Sequence, residues 1–89
     1  MAELIRDHLT LVRTPEGIAY TPRTYATRQS DGTWEAWLEF DPVDRGAPTL
    51  RTERETSQAS REALDTWASG LEGSYFEGAF ARARVLRAR

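Results

Sequence analysis

Cysteine, lysine and asparagine are all missing from this chain of 89 residues, and histidine occurs once. Without cysteine the chain can form neither a disulfide framework nor a thiolate zinc site. The single histidine, His8, also excludes a metal centre built from several histidines, and no grouping of carboxylates indicates a site for a hard cation. We therefore expect no metal and no cofactor. Stability should come from packing, helped by any self-association.

Long apolar runs are missing as well. No run of hydrophobic residues exceeds three, whereas a membrane-spanning helix needs roughly 20. The segment from Met1 to Leu11 carries Glu3, Arg6 and Asp7, where a secretory signal peptide requires an unbroken apolar stretch. These absences predict a cytoplasmic protein that does not enter a membrane.

What is present is the composition of a small globular domain. Hydrophobic residues make up 39% of the chain and charged residues 29%, and three tryptophans, three tyrosines and three phenylalanines are available for a core. A chain of this length has room for one core, so we predict a single domain over residues 1–89. The formal net charge of −2 provides no overall positive field to attract nucleic acid. All twelve basic residues are arginine, a bias typical of GC-rich bacterial genomes.

The middle of the chain has the pattern of antiparallel strands. Residues 18–29 are rich in β-branched and aromatic side chains, which favours a strand. Pro22 predicts an edge position or a bulge there, because it cannot donate a ladder hydrogen bond. Asp31 and Gly32 come next, and an Asp-Gly pair between two strand-like runs indicates a hairpin. Residues 49–54 can return as a third strand after a proline-containing loop.

The strand over residues 33–41 has the clearest pattern. Hydrophobic and polar side chains alternate, as in a strand with one buried face. The predicted buried face carries Trp34, Ala36, Leu38 and Phe40, and the predicted solvent face carries Thr33, Glu35, Glu39 and Asp41. Trp37 breaks the alternation, because it falls among the charged residues.

Two helices are predicted to come after the strands. Apolar residues recur at helical spacing over 57–69, with Ser57 or Ser60 as the N-cap and Gly70 in a left-handed C-terminal cap. A second helix starts at Ser74, in a Ser-Tyr-Phe-Glu order that is typical of a capping box. Both helices have an apolar stripe that can cover a sheet.

The N-terminal segment, residues 1–13, fits two interpretations. Leu4 and His8 share one helical face, whereas Leu9 and Leu11 alternate as in a strand. The helical interpretation is favoured, with a strand after it. The whole chain is thus predicted to be α+β: a three-stranded antiparallel β-meander with two C-terminal helices packed on one face, preceded by a helix or a strand.

The sequence contains no arrangement of residues that is typical of an enzyme. Glu35 and Glu39 share a strand face but stand roughly 13 Å apart along it, which is too far for a pair of glycosidase carboxylates. No serine lies in a glycine-flanked nucleophile elbow, and no phosphate-binding glycine loop is present. His8 falls on an apolar stripe, where a packed histidine is the usual outcome. We therefore predict a non-enzymatic protein.

The candidate binding site is the charged strand face that carries Trp37. An exposed aromatic side chain beside charges is typical of a binding surface, and Glu35 lies on the same face. Arg51 and Arg54 belong to the adjacent polar run and offer guanidinium groups to an anionic partner. The alternatives are that the N-terminal segment or a second subunit covers Trp37, and that both arginines pair with nearby carboxylates. We predict a protein partner, or self-association, at these four residues.

A second hypothesis rests on the arginines near the end of the chain, which are Arg82, Arg84, Arg87 and Arg89. They could contact nucleic acid, which makes a nucleic-acid-associated protein an alternative function. Cations are also favoured at a helix C-terminus by the macrodipole, and the four do not share one side of a helix. Nucleic acid is therefore the less favoured partner.

Three stretches, residues 31–40, 50–58 and 63–72, resemble a family of short bacterial proteins with no assigned activity. That resemblance implies a self-contained domain and carries no functional residues to transfer. The order of hairpin, third strand and alanine-rich helix ending near Trp67 also resembles the HicB-type antitoxin domain, whose members bind a toxin nuclease. Where that family has Pro-Asp-Leu-Pro-Gly, this chain has Asp-Pro-Val-Asp-Arg-Gly at 41–46. This second resemblance implies an antitoxin as a further alternative function.

Overall fold

In the computed structural model, which describes residues 1–89 throughout, the chain forms six strands and two helices. Their order along the chain is β1 (Glu3–Asp7), β2 (Val12–Arg13), β3 (Ala19–Arg28), β4 (Trp34–Pro42), β5 (Leu50–Arg51), β6 (Thr56–Gln58), α1 (Arg61–Ser69) and α2 (Gly73–Ala88). The strands come first and the helices last, so the predicted α+β class is confirmed.

All strand pairs are antiparallel, and the sheet has the order β1-β3-β4-β5. β2 pairs with β3 on the same side as β1, and β6 pairs with β4 on the same side as β5. Each edge of the sheet therefore consists of two short strands, while the long strands β3 and β4 form its centre. The predicted meander, β3-β4-β5, is confirmed and is part of this larger sheet.

The N-terminal segment forms strands, so its favoured helical interpretation is wrong and the strand alternative is correct. β1 pairs with β3 from Glu3 opposite Ala26 to Asp7 opposite Arg23, with a bulge in between. The reason lies in the tertiary structure. Without β1, the backbone N–H and C=O groups on this side of β3 would have no hydrogen-bond partner in the sheet. That requirement outweighs the helical spacing of apolar side chains in a segment too short to be a stable helix alone.

Pro22 lies in a central strand of the sheet, so its predicted edge position is wrong. Its carbonyl oxygen accepts a hydrogen bond from the backbone N–H of His8 at 3.1 Å, and the Pro22 nitrogen therefore faces the same side of β3. On that side the sheet edge is interrupted between β1 and β2. Proline has no backbone N–H, and here the N–H that it lacks would point into this gap, where no strand is present to accept a hydrogen bond.

The two helices pack on one face of the sheet, the inner face, as predicted. Leu38 and Phe40 are fully buried there beneath α2. The Phe80 ring centroid lies 5.1 Å from that of Phe40 and 5.2 Å from that of Tyr20, and Leu64 anchors α1 in a smaller cluster. Burial of one large apolar side chain stabilises a fold by about 1.5–3 kcal/mol. Because these contacts hold both helices on the inner face, the opposite face of the sheet has no helix over it.

The helix ends agree only in part with the prediction. Ser60 is the N-cap of α1, and its hydroxyl accepts a hydrogen bond from the Ala63 N–H at 3.0 Å. Gly70 ends α1 with a right-handed backbone, φ −90°, so the predicted left-handed cap is wrong. The capping box at Ser74 is also wrong, because helical hydrogen bonding already starts at the Glu72 carbonyl and places Ser74 inside the first turn of α2. Neither helix has the length and apolar composition needed to cross a membrane.

Candidate functional site

The outer face of the sheet is the face opposite the helices. Side chains alternate between the two faces along each strand, so the outer face carries every second residue of β3 and β4. Its side chains include those of Arg23, Tyr25, Thr27, Glu35, Trp37, Glu39, Asp41 and, from β5, Arg51. Most of these side chains are half-buried, which shows that they pack on one another although no helix covers them.

Trp37 lies at the centre of the outer face and is only 8% exposed. The Tyr25 ring on β3 stacks on it, with centroids 6.4 Å apart and planes 18° apart. The Arg51 guanidinium on β5 lies 4.2 Å from the indole centroid, and the indole N–H donates to Glu39 Oε2 at 3.1 Å. Because β3 and β5 flank β4 on opposite sides, both faces of the indole are covered. Trp37 is therefore shielded, within one chain, by neighbours on its own sheet face.

Glu35 and Arg54 form an ion pair on the same side of the sheet, with 3.5 Å between Glu35 Oε2 and Arg54 Nη1. Their side chains are 38% and 62% exposed, so the pair contributes about 0–1 kcal/mol to stability. The four residues of the predicted site are thus arranged as two contacts, Arg51 on Trp37 and Arg54 on Glu35.

Two residues that complete the outer face, Tyr25 and Arg23, are not indicated by the sequence patterns, whereas Glu39 lies on the face that the alternation predicts for it. Tyr25 lies directly opposite Trp37 in the β3–β4 ladder, and Glu39 holds the indole N–H. Arg23 lies between two carboxylates, 3.5 Å from that of Asp7 and 3.7 Å from that of Asp41. The signal that could have found Tyr25 is the hairpin register, since a three-residue loop, residues 30–32, places Tyr25 opposite Trp37.

A groove runs between the connection of β5 and β6, residues 52–55, and the C-terminal half of α2. Its volume is about 450 Å³, and Arg54, Arg82, Val85 and Leu86 are among its lining residues. A second cavity of about 350 Å³ adjoins it and includes Arg51, Leu86 and Arg87. We call the two together the α2 groove. Both arginines of the predicted site, Arg51 and Arg54, thus also border this groove.

Glu55 is the buried charge at the α2 groove. Its side chain is 7% exposed, and its carboxylate accepts hydrogen bonds from the Tyr75 hydroxyl and the Arg82 guanidinium. Burial and then the neighbouring Glu55 carboxylate raise the pKa of Tyr75 to about 12. The Tyr75 ring in turn meets Trp67 edge-on, with 6.0 Å between centroids. This carboxylate ties α2 to the sheet edge, because both of its partners lie on α2 and compensate its charge inside the fold.

The arginines near the end of the chain are divided between two directions. Arg82, Arg87 and Arg89 border the α2 groove, where Arg82 pairs with Glu55. Arg84 instead lies over the Phe80 ring, 5.8 Å from its centroid. They therefore do not form one continuous stripe along the helix.

His8 is buried and packed. It is 7% exposed, its Nε2 lies 2.7 Å from Thr24 Oγ1, and its ring centroid is 4.7 Å from that of Phe76. Burial, and to a lesser degree Arg6, lowers the pKa of His8. No three histidine, aspartate or glutamate side chains converge in a way that could hold a metal ion. The groups that the outer face and the groove present are aromatic rings and guanidinium groups.

Comparisons of the chain with protein-family models, with curated proteins and with solved structures find no match. The two family resemblances therefore stay predictions from sequence, and a function must rest on the geometry of the chain alone.

Proposed function

We propose that this protein is a non-enzymatic, cytoplasmic interaction domain that binds a protein partner through the outer face, at Trp37, Glu35, Arg51 and Arg54. The observation that carries the proposal is the stacked pair of Tyr25 and Trp37 at the centre of a sheet face without a covering helix. A sheet face that only meets water does not need an aromatic pair at its centre, since polar side chains serve there equally well.

The chemistry of the outer face matches that of known protein interfaces. Tyrosine, tryptophan and arginine are the residue types that most often carry binding energy at such interfaces. Trp37 is held in place by the Glu39 carboxylate and the Arg51 guanidinium. A side chain that is already fixed loses little conformational entropy when a partner binds, so the surface is preorganised for contact.

A second copy of the chain is one candidate partner. The outer face and its border carry cations and anions in similar number: Arg23, Arg51 and Arg54 against Asp7, Glu35, Glu39 and Asp41. A surface of mixed charge can oppose a two-fold copy of itself without a net repulsion. Sedimentation equilibrium of the purified chain distinguishes this partner from a different protein.

Affinity capture from the native cytoplasm, followed by mass spectrometry, tests the proposal. We expect the Glu35→Arg and Trp37→Ala variants to lose a partner that the unaltered chain retains, while Arg45→Glu, a charge change in an exposed loop, serves as the matched control. Circular dichroism establishes that each variant is folded. Recovery of the same partners by all three folded variants would exclude the outer face as the contact surface. A small toxin nuclease among the captured proteins would favour the HicB-type alternative.

A further inference from the structure

The α2 groove concentrates positive charge in a chain whose net charge is −2. The helix contributes Arg82, Arg87 and Arg89, and the sheet edge contributes Arg54 and, beside its contact with Trp37, Arg51. The two sets are far apart in the sequence and meet only because α2 packs beside β5. Guanidinium groups on two walls of one groove can contact the same anionic ligand in a bidentate manner.

Few acidic groups oppose these arginines. Of the two glutamates that line the groove, Glu53 is exposed, whereas Glu55 is 7% exposed and already bonded to Tyr75 and Arg82. Arg54 is also engaged, but its partner Glu35 belongs to the outer face and the pair is open to solvent. Glu55 in turn compensates Arg82, which leaves Arg87 and Arg89 of α2 as lining arginines without an ion-pair partner. The groove therefore carries an excess of positive charge, which attracts carboxylates or phosphates.

Apolar side chains of α2 also line the groove, and we call these its floor. Val85 is 59% exposed, and it is the one large hydrophobic side chain that either helix leaves open to this extent. Leu86 lines both halves of the groove, and Ala81 lines the larger one. An apolar floor between arginine walls fits a ligand that carries both anionic and apolar groups.

We propose that the α2 groove binds an extended acidic segment of a polypeptide, in which carboxylates contact the arginines and apolar side chains contact Val85. Single-stranded nucleic acid would need an uncovered aromatic face for base stacking. The nearby aromatic rings are occupied: Tyr75 by the Trp67 edge and by Arg82, and Trp37 by Tyr25 and Arg51. The proposal goes beyond the outer-face function, since a partner could occupy the outer face without entering the groove.

Fluorescence anisotropy with short labelled probes tests this proposal on the whole chain. The probes are a peptide in which glutamate alternates with leucine, the same peptide with glutamine in place of glutamate, and an oligothymidylate. We expect the glutamate peptide to bind at least about tenfold more tightly than the glutamine peptide, a difference of about 1.4 kcal/mol. Equal binding of both peptides, or tighter binding of the oligothymidylate, would overturn the proposal.

Variants on α2 localise the binding. Val85→Asp places a carboxylate among the apolar side chains of the groove, and Arg87→Glu reverses a charge that borders it. Each variant should bind the glutamate peptide at least about tenfold more weakly than the unaltered chain does. Arg84→Glu is the matched control, because it makes the same charge change on the same helix but lies over Phe80, outside the groove. An equal loss in Arg84→Glu would refute the site. Tyr25→Ala, which alters the outer face on β3 and touches neither Arg51 nor Arg54, should leave peptide binding unchanged, so that failure of the groove and failure of the outer-face function can be told apart.

Discussion

The two faces of the sheet bury aromatic side chains of the same strand in different ways. On the inner face, Phe40 is fully buried because α2 lies over it. On the outer face, Trp37 is 8% exposed without any helix above it, because Tyr25, Glu39 and Arg51 surround it. Phe40 and Trp37 are therefore both shielded from solvent, but by different parts of the structure. Inner-face burial holds the fold together, whereas outer-face burial comes from side chains that a partner could contact or rearrange.

The largest expected effect is that of shortening a side chain on the inner face. Phe40→Ala should lower the free energy of unfolding by about 3–5 kcal/mol, because it leaves a cavity under α2 as well as losing apolar burial. Urea unfolding followed by circular dichroism measures it, with Phe40→Leu as the milder control. A loss near 1 kcal/mol would show that the helices do not depend on this contact.

The corresponding change on the outer face should cost less. Trp37→Ala is expected to lower the free energy of unfolding by about 2 kcal/mol, since the neighbouring side chains can close over the gap and water is near. The same urea experiment measures it, and Trp37→Phe retains the stacking on Tyr25 as a control. If the loss equals that of Phe40→Ala, the two faces contribute alike and the distinction between them fails.

The helix side of the molecule also predicts a dependence on pH. The pKa of Tyr75 is raised to about 12 from about 10 in an unfolded chain, so its protonated form favours the fold. This contribution to the free energy of unfolding is fully present below about pH 10 and is lost as the pH rises through about 12. With solvent screening allowed for, the loss amounts to about 1 kcal/mol. Tyr75→Phe should remove that part of the alkaline loss. Parallel slopes of stability against pH for both proteins would contradict the bond to Glu55.

The smallest expected effect is that of the cation over the indole. Arg51→Gln should lower the free energy of unfolding by about 0.5–1 kcal/mol, the usual range for an exposed cation–π contact, and should increase quenching of tryptophan fluorescence by iodide. Arg45→Gln, in the exposed loop, is the control. No change in quenching would mean that Arg51 does not shield Trp37 in solution.

Local patterns in the sequence are sufficient for the centre of the fold. The Asp31-Gly32 turn predicts the β3–β4 hairpin, and Gly32 has the positive φ of 90° that such a turn requires. The alternation in β4 predicts the inner face, on which Ala36, Leu38 and Phe40 are buried and Trp34 is partly buried. Short-range patterns succeed here because the turn and the pleat are properties of neighbouring residues.

The edges of the sheet cannot be predicted in the same way. The apolar spacing in β1 favours a helix, and no pattern separates β2 or β6 from its surroundings as a strand of its own. Strands of two or three residues carry too little periodicity to be detected. They form because β3 and β4 leave backbone groups that need partners, which is a requirement set by the rest of the fold.

For the candidate site, the sequence by itself determined that Trp37 and Glu35 lie on the sheet face away from the core, because side chains in a strand alternate with a period of two. Only the tertiary structure decided that Tyr25 and Arg51 cover Trp37, and that Arg51 and Arg54 meet the arginines of α2 across a groove. The physical reason is that a side chain's face depends on its immediate neighbours, whereas its contacts depend on which distant elements pack beside it.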